Sequence, residues 1–182
     1  MEVLRQKIPD VWELVPEVHL DSRGSLVKTL NRQRYAELGL NWCFAEEYYS
    51  TSRRGVLRGL HFQVPPHDHI KLVYCIEGEV LDAVVDLRRG SPAFGRHALY
   101  KLSADNRTIL YIPRGLAHGF FVRTATATMV YKTETVFAPS HDAGIRWNSA
   151  GIDWPDLDPL VSARDGALPM LSEFSSPFEY RG

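Results

Sequence analysis

The chain has 182 residues, 45% of them apolar and 24% charged, with 21 basic against 22 acidic side chains. This length and apolar share suit one domain with a full core, spanning residues 1–182. The balanced charge supplies no bulk field for nucleic acid or an anionic membrane, and no apolar run approaches the ~20 residues that cross a bilayer. The opening Met1-Glu2-Val3-Leu4-Arg5-Gln6-Lys7 has no apolar signal core, so a cytoplasmic protein is expected. Cys43 and Cys75, the two cysteines, lie far apart and are expected as buried thiols rather than a disulfide or a metal pair.

Residues 8–20 contain Pro9 and Pro16, which disfavour a long helix, while Val11, Glu13, Val15 and Val18 read as short extended segments. Asp21-Ser22-Arg23-Gly24 is turn chemistry, and residues 25–30 read as the next strand. Asn31 can cap a short helix over residues 32–38, closed by Gly39. Residues 42–50 read as a strand carrying Glu46, Glu47, Tyr48 and Tyr49, and Ser52-Arg53-Arg54-Gly55 turns into a strand over residues 55–63. From Lys71 onward strand follows strand, over residues 72–76, 80–87, 97–102, 108–112, 119–122 and 127–131. Turn residues at short, fairly even intervals predict an all-β sandwich or barrel. Residues 139–166 form a Pro-, Asp-, Gly- and Ser-rich tract pinned by Trp147 and Trp154, and residues 169–174 read as a final short helix.

Four side chains interrupt this apolar pattern. Arg58 and His61 sit among Val56, Leu57, Leu60 and Phe62. A buried guanidinium without a partner is very costly, so Arg58 must face a partner, a ligand or water. His61 is suited to a general base near neutrality, its unperturbed pKa being about 6.5. The plainer reading is a strand end with a surface arginine and a hydrogen-bonded histidine. Lys71 opens an apolar strand, where an ammonium needs an anion or a route to water. Tyr131 closes another, either as a proton donor or as a core ring with its hydroxyl at the rim.

Pro113-Arg114-Gly115-Leu116-Ala117-His118-Gly119-Phe120 resembles the second half-motif of the cupin barrel. In metal-binding cupins that histidine is a ligand, beside two His and a Glu from the first half-motif. Here His67-Asp68-His69 is followed by no Glu at the needed spacing, and Lys71 would repel a metal. A metal-free site is therefore expected, with His67 and His69 as loop residues.

Residues 55–63, Lys71-Leu72-Val73, residues 82–92, Leu102-Ser103-Ala104-Asp105-Asn106, residues 112–120, Tyr131-Lys132 and the run from Trp147-Asn148 to Trp154-Pro155 occur in one order. Together they resemble the dTDP-4-dehydrorhamnose 3,5-epimerase family, over residues 8 to 170. The resemblance implies an all-β cupin jelly-roll barrel (a double-stranded β-helix) with short peripheral helices. It also implies a homodimer, no cofactor, and a nucleotide-diphosphate sugar as substrate, a 4-keto-6-deoxyhexose inverted at C3 and/or C5. By the same resemblance His61 is the base, paired with Asp165, Tyr131 is the acid on the other face, and Lys71 holds the enolate oxygen. Arg58, Gln63 and His118 would contact substrate, Asp82 would partner His118, and Arg23 would grip the diphosphate.

The chain departs from the family pattern at contact positions. Ser25, Leu26, Val27 and Lys28 follow the Arg-Gly pair where aromatic residues and then Glu are usual, and Glu46-Glu47-Tyr48 replaces Gln-x-Asn. Tyr49 stands for a common His, His69 for Gln, and Phe137 for Tyr or Trp. Lys28, Glu46 and Tyr48 are thus expected at the substrate, with another nucleotide such as CDP or GDP, another deoxysugar, or inversion at one carbon as the consequence. A cupin ketoisomerase, a non-catalytic sugar-binding cupin and a metal-dependent oxygenase are the competing classes.

Overall fold

The computed structural model describes residues 2–4, 6–40 and 43–181. Six strands form one antiparallel sheet: β1 (Glu2–Val3), β2 (Trp12–Val15), β5 (Glu46–Arg53), β7 (Lys71–Glu77), β10 (Ile109–Ile112) and β12 (Thr126–Thr133). Their order is β1-β2-β10-β7-β12-β5. Five strands form a second: β6 (Leu57–Gln63), β8 (Glu79–Asp86), β9 (His97–Ser103), β11 (Leu116–Val122) and β13 (Asp142–Gly144). These are ordered β13-β6-β11-β8-β9. The remaining two, β3 (Glu17–Asp21) and β4 (Gly24–Lys28), pair only with each other. The two large sheets face each other as the expected cupin jelly roll.

Alternation along each strand decides what enters the barrel. Val73 and Cys75 of β7, Val80 and Val84 of β8, Leu116, Phe120 and Val122 of β11, and Met129 and Tyr131 of β12 meet in one core. The intervening residues cover the outer faces. Ala83, Val85, Ala117 and Phe121 pack beneath Ile145, Ile152, Trp154 and Phe178 of the C-terminal tract. Leu72, Tyr74, Ile109 and Val130 pack beneath Tyr35 and Leu40. Both faces of these strands are therefore buried, which is why they read as nearly continuous apolar runs. The same parity turns Lys71, Asp82, His118 and Tyr131 inward, because each lies an even number of residues from a core position on its strand.

Local signals explain most boundaries. The Asn31 side chain caps helix α1 (Arg32–Glu37), accepting from the Arg34 backbone N–H at 3.2 Å. Gly39 follows at φ +74. Trp147 and Trp154 pin the irregular tract to the five-stranded sheet as expected, packing with its Ala83, Val85 and Phe121, and the Trp154 indole donates to the Trp147 carbonyl at 2.9 Å. Several boundaries needed correction. The strand expected over residues 119–122 begins at Leu116, so His118 stands within it. The strand expected over residues 42–50 covers Glu46–Arg53, and the Trp42 end of that expectation lies outside the described residues. The irregular tract also contains β13 and a one-turn helix, α2 (Ala163–Gly166), and the closing helix is a single 3-10 turn, Leu171–Glu173. Cys75 is buried but Cys43 is exposed, because it precedes β5 on the surface rather than entering the core.

Candidate active site

A cavity of about 390 Å³ opens between the two sheets. His61, Arg58 and Gln63 of β6, His118 of β11, Lys71 of β7, Tyr131 of β12 and Glu46, Tyr48 and Ser50 of β5 line it. Strands distant in sequence are brought together here by register. His118 stands directly across from His61 in the β6–β11 pair, and Tyr131 stands across from Tyr48 in the β5–β12 pair. Gly59 sits at φ +124 beside Gly119, and a Cβ on Gly59 would lie 2.6 Å from the Gly119 Cα. Only glycine allows the two histidine-bearing strands to approach this closely.

Asp165, on α2, is buried and reaches His61, its Oδ1 lying 2.8 Å from Nε2. Its other oxygen accepts from the Gly59 backbone N–H at 3.1 Å. Burial alone would raise this carboxyl, but the hydrogen bond and charge of His61 and the Gly59 N–H outweigh it and hold the pKa low. An ionised Asp165 has no proton to give, so His61 Nε2–H is the donor and Nδ1 carries the free lone pair. That lone pair is the basic atom His61 can offer.

Lys71 is buried, and burial lowers its pKa to about 8, partly opposed by Asp142 and Asp82. Its ammonium donates to the His61 carbonyl at 3.1 Å. A buried cation with so few ligands suits an anionic oxygen formed inside the cavity. His118 Nε2 lies 2.7 Å from Asp82 Oδ2, a second buried His–Asp pair. Burial pushes the Asp82 carboxyl up, and His118 opposes that. The Tyr131 hydroxyl lies 3.1 Å from the Ser50 Oγ, and burial raises its pKa far above the ordinary phenol range, keeping it protonated.

The remaining expected contacts divide into three groups. Arg58 donates from Nε to Ser52 at 2.9 Å and remains exposed at the cavity. Glu46 accepts from the Phe137 backbone N–H, and Tyr48 stacks on Tyr131. Gln63 lines the cavity, but its amide ties loops together, donating to the His67 carbonyl at 2.9 Å and accepting from the Ala138 N–H at 2.6 Å. Arg23 and Lys28 stand away from the cavity wall, on the β3–β4 hairpin. Arg23 is paired with Asp21, and Lys28 lies 3.9 Å from Glu17. His67 packs against the His141 ring outside the cavity, but His69, expected only as a loop residue, lines the cavity, with its Nδ1 2.7 Å from Thr135 Oγ1. Among the described residues no three His, Cys, Asp or Glu side chains converge as a metal-ligand set.

Sequence reasoning missed Ser50, Asp142 and Arg164 on this wall. Asp142 belongs to a strand too short to show alternation, and Arg164 reaches it at 2.6 Å from the neighbouring one-turn helix. Ser50 could have been found by parity, two residues beyond Tyr48.

The model of one family, dTDP-4-dehydrorhamnose 3,5-epimerase, matches residues 5–173. The chain belongs to this family. A dTDP-4-dehydrorhamnose 3,5-epimerase of Pseudomonas aeruginosa is 44% identical over 169 residues, 91% of this chain and 93% of the relative. A crystal structure of dTDP-6-deoxy-D-glucose-3,5-epimerase from Legionella pneumophila, in complex with dTDP-4-keto-L-rhamnose, superposes with a TM-score of 0.94 at 33% identity. It covers 100% of this chain and 99% of that one. A 3'-monoepimerase from Streptomyces bikiniensis in complex with dTDP-quinovose is also similar, with a TM-score of 0.87 and 33% identity, covering 92% and 86%. The protein is accordingly an isomerase of the nucleotide-sugar epimerase type, and its fold is the cupin jelly roll of these relatives.

Proposed function

We propose that the protein epimerises a dTDP-linked 4-keto-6-deoxyhexose at C3 and C5. The carbonyl acidifies the hydrogens on its two neighbouring carbons. His61 Nδ1 removes one as a proton, and the C–H electron pair moves into the C4 carbonyl to give an enolate. The Lys71 ammonium neutralises the charge arriving on that oxygen. Tyr131 then gives its hydroxyl proton to the same carbon from the other side, inverting it, and solvent restores both groups. Asp165 supports the imidazolium that forms in the first step. The observation that carries this reading is that His61 and Tyr131 line one cavity from opposing sheets, His61 from β6 and Tyr131 from β12, with the buried Lys71 on β7, the strand beside β12, reaching across to the His61 carbonyl.

Incubating the purified protein with dTDP-4-keto-6-deoxyglucose in deuterium oxide tests it. Two deuterons in the product, at C3 and C5, are expected. One would assign a mono-epimerase, a second reading suggested by the altered Glu46 and Tyr48. None, on this or a panel of CDP- and GDP-linked 4-keto sugars, would end the epimerase reading.

We further propose a homodimer in which the β3–β4 hairpin serves the partner's cavity. The hairpin pairs only with itself, leaves Leu20 72% and Leu26 57% exposed, and bears Arg23 and Lys28 away from its own cavity. Arg23 offers the bidentate fork that suits a diphosphate.

A further inference from the structure

The proton donor of the proposed reaction is not held by its own strand alone. Strand β5 runs along the edge of the six-stranded sheet beside β12, with Tyr48↔Tyr131 and Ser50↔Met129 in register. Alternation on β5 points Glu46, Tyr48 and Ser50 to the cavity side, and all three line it. Two of them contact Tyr131 in complementary ways. The Tyr48 ring lies on the Tyr131 ring, centroids 4.7 Å apart with planes 14° from parallel. The Ser50 hydroxyl meets the Tyr131 hydroxyl at 3.1 Å. The His118 ring approaches Tyr131 edge-on, with centroids 6.4 Å apart and planes at 72°.

We propose that Tyr48 and Ser50 are positioning residues for Tyr131, the first fixing the plane of its ring and the second the direction of its hydroxyl. This rests on the reading of Tyr131 as the acid. A phenol joined to its backbone by two rotatable bonds can swing, and its aim at a carbon decides whether its proton arrives. An aromatic stack against a cross-strand neighbour removes ring rotation. A hydroxyl partner selects which way the O–H points, and can donate to the phenolate oxygen left when the proton has gone. Neither side chain takes the proton from carbon, so neither is needed for enolate formation. When the aim of Tyr131 is lost, the enolate recaptures a proton from the His61 imidazolium on the face it left. The carbon then exchanges its hydrogen with solvent and keeps its configuration. The same C–H bond breaks and re-forms, with no net change in atoms beyond isotope.

This predicts a ratio that general loosening of the fold would not move. In deuterium oxide, with dTDP-4-keto-6-deoxyglucose, the rate of deuterium entry into sugar of unchanged configuration is compared with the rate of inversion. Ser50→Ala should raise exchange relative to inversion by roughly tenfold or more, the scale on which misaligned groups lose rate. Ser50→Thr, which keeps a hydroxyl and suits a strand, should restore the parent ratio. Tyr48→Leu, which removes the stacked ring and adds no polar group, should raise the ratio with Ser50 intact, and gives the same readout should Ser50→Ala not fold. Tyr131→Phe is the control and should exchange without inverting. An unchanged ratio in the Ser50 and Tyr48 variants, with Tyr131→Phe behaving as stated, overturns this inference and leaves the acid assignment standing. Normal inversion by Tyr131→Phe overturns both.

Discussion

In the barrel, polar side chains that reach the cavity are held by a second group: Asp165 holds His61, Asp82 holds His118, Ser50 meets Tyr131, and the His61 carbonyl takes Lys71. In the β3–β4 hairpin, Arg23 and Lys28 pair with exposed carboxylates of the same hairpin, Asp21 and Glu17, and two leucines are exposed. The contrast separates two tasks. In the proposed reaction the groups that move protons need fixed atoms, and the opposed sheets hold them. Under the proposed dimer, groups that grip a charged nucleotide can stand on an arm, provided a partner's surface comes to meet them.

Breaking the barrel's chemistry should have the largest effect. His61→Asn and Tyr131→Phe should each lower the epimerisation rate by on the order of 10²–10⁴-fold, the usual worth of a positioned acid or base. Steady-state inversion assays on folded protein check this. Lys71→Gln should cost on the order of 10²–10³-fold, as loss of an oxyanion donor does. Its pH profile sharpens the point. Burial brings the Lys71 pKa down to about 8, so the cation is present below that pH and lost above it. The parent rate should therefore fall as pH rises through about 8, and Lys71→Gln should lack that alkaline limb.

The packing that joins the histidine strands comes next. Gly59→Ala places a Cβ against the Gly119 backbone in a left-handed conformation, and should destabilise the fold by about 2–3 kcal/mol in urea unfolding. On the hairpin side, Arg23→Ala should raise KM by about tenfold with little change in kcat, the scale of a lost charged hydrogen bond. Mixing refolded Arg23→Ala and His61→Asn chains should restore a fraction of turnover with the parent KM, because hybrids then hold one intact cavity served by one intact hairpin. Failure to restore it would make the hairpin act on its own chain and remove the contrast. The smallest effect belongs to Lys28→Ala, whose 3.9 Å pair with Glu17 is half exposed and should shift stability by no more than about 0.5 kcal/mol.

Much of this could be read in the residues themselves, for a local reason. Alternation, Pro and Gly positions and capping side chains act over a few neighbours, so the strand series, the Asn31 cap and the glycine beside His61 were all legible. The unusual polar residues on apolar strands, Arg58, His61, Lys71 and Tyr131, marked a candidate site wall for the same reason, while His118 was singled out by its resemblance to a cupin half-motif. What stayed hidden depends on distant chain. Asp165 meets His61 across 104 positions, and was expected only through family resemblance. Ser50 meets Tyr131 across 81, and Arg164 reaches Asp142 from a four-residue helix no periodicity can reveal. Whether Gln63 is free for a ligand or engaged with loops, and whether Arg23 faces its own cavity, is decided by the packing of whole sheets. Strand parity tells a side chain which face to take, and only the assembled barrel decides what waits for it there.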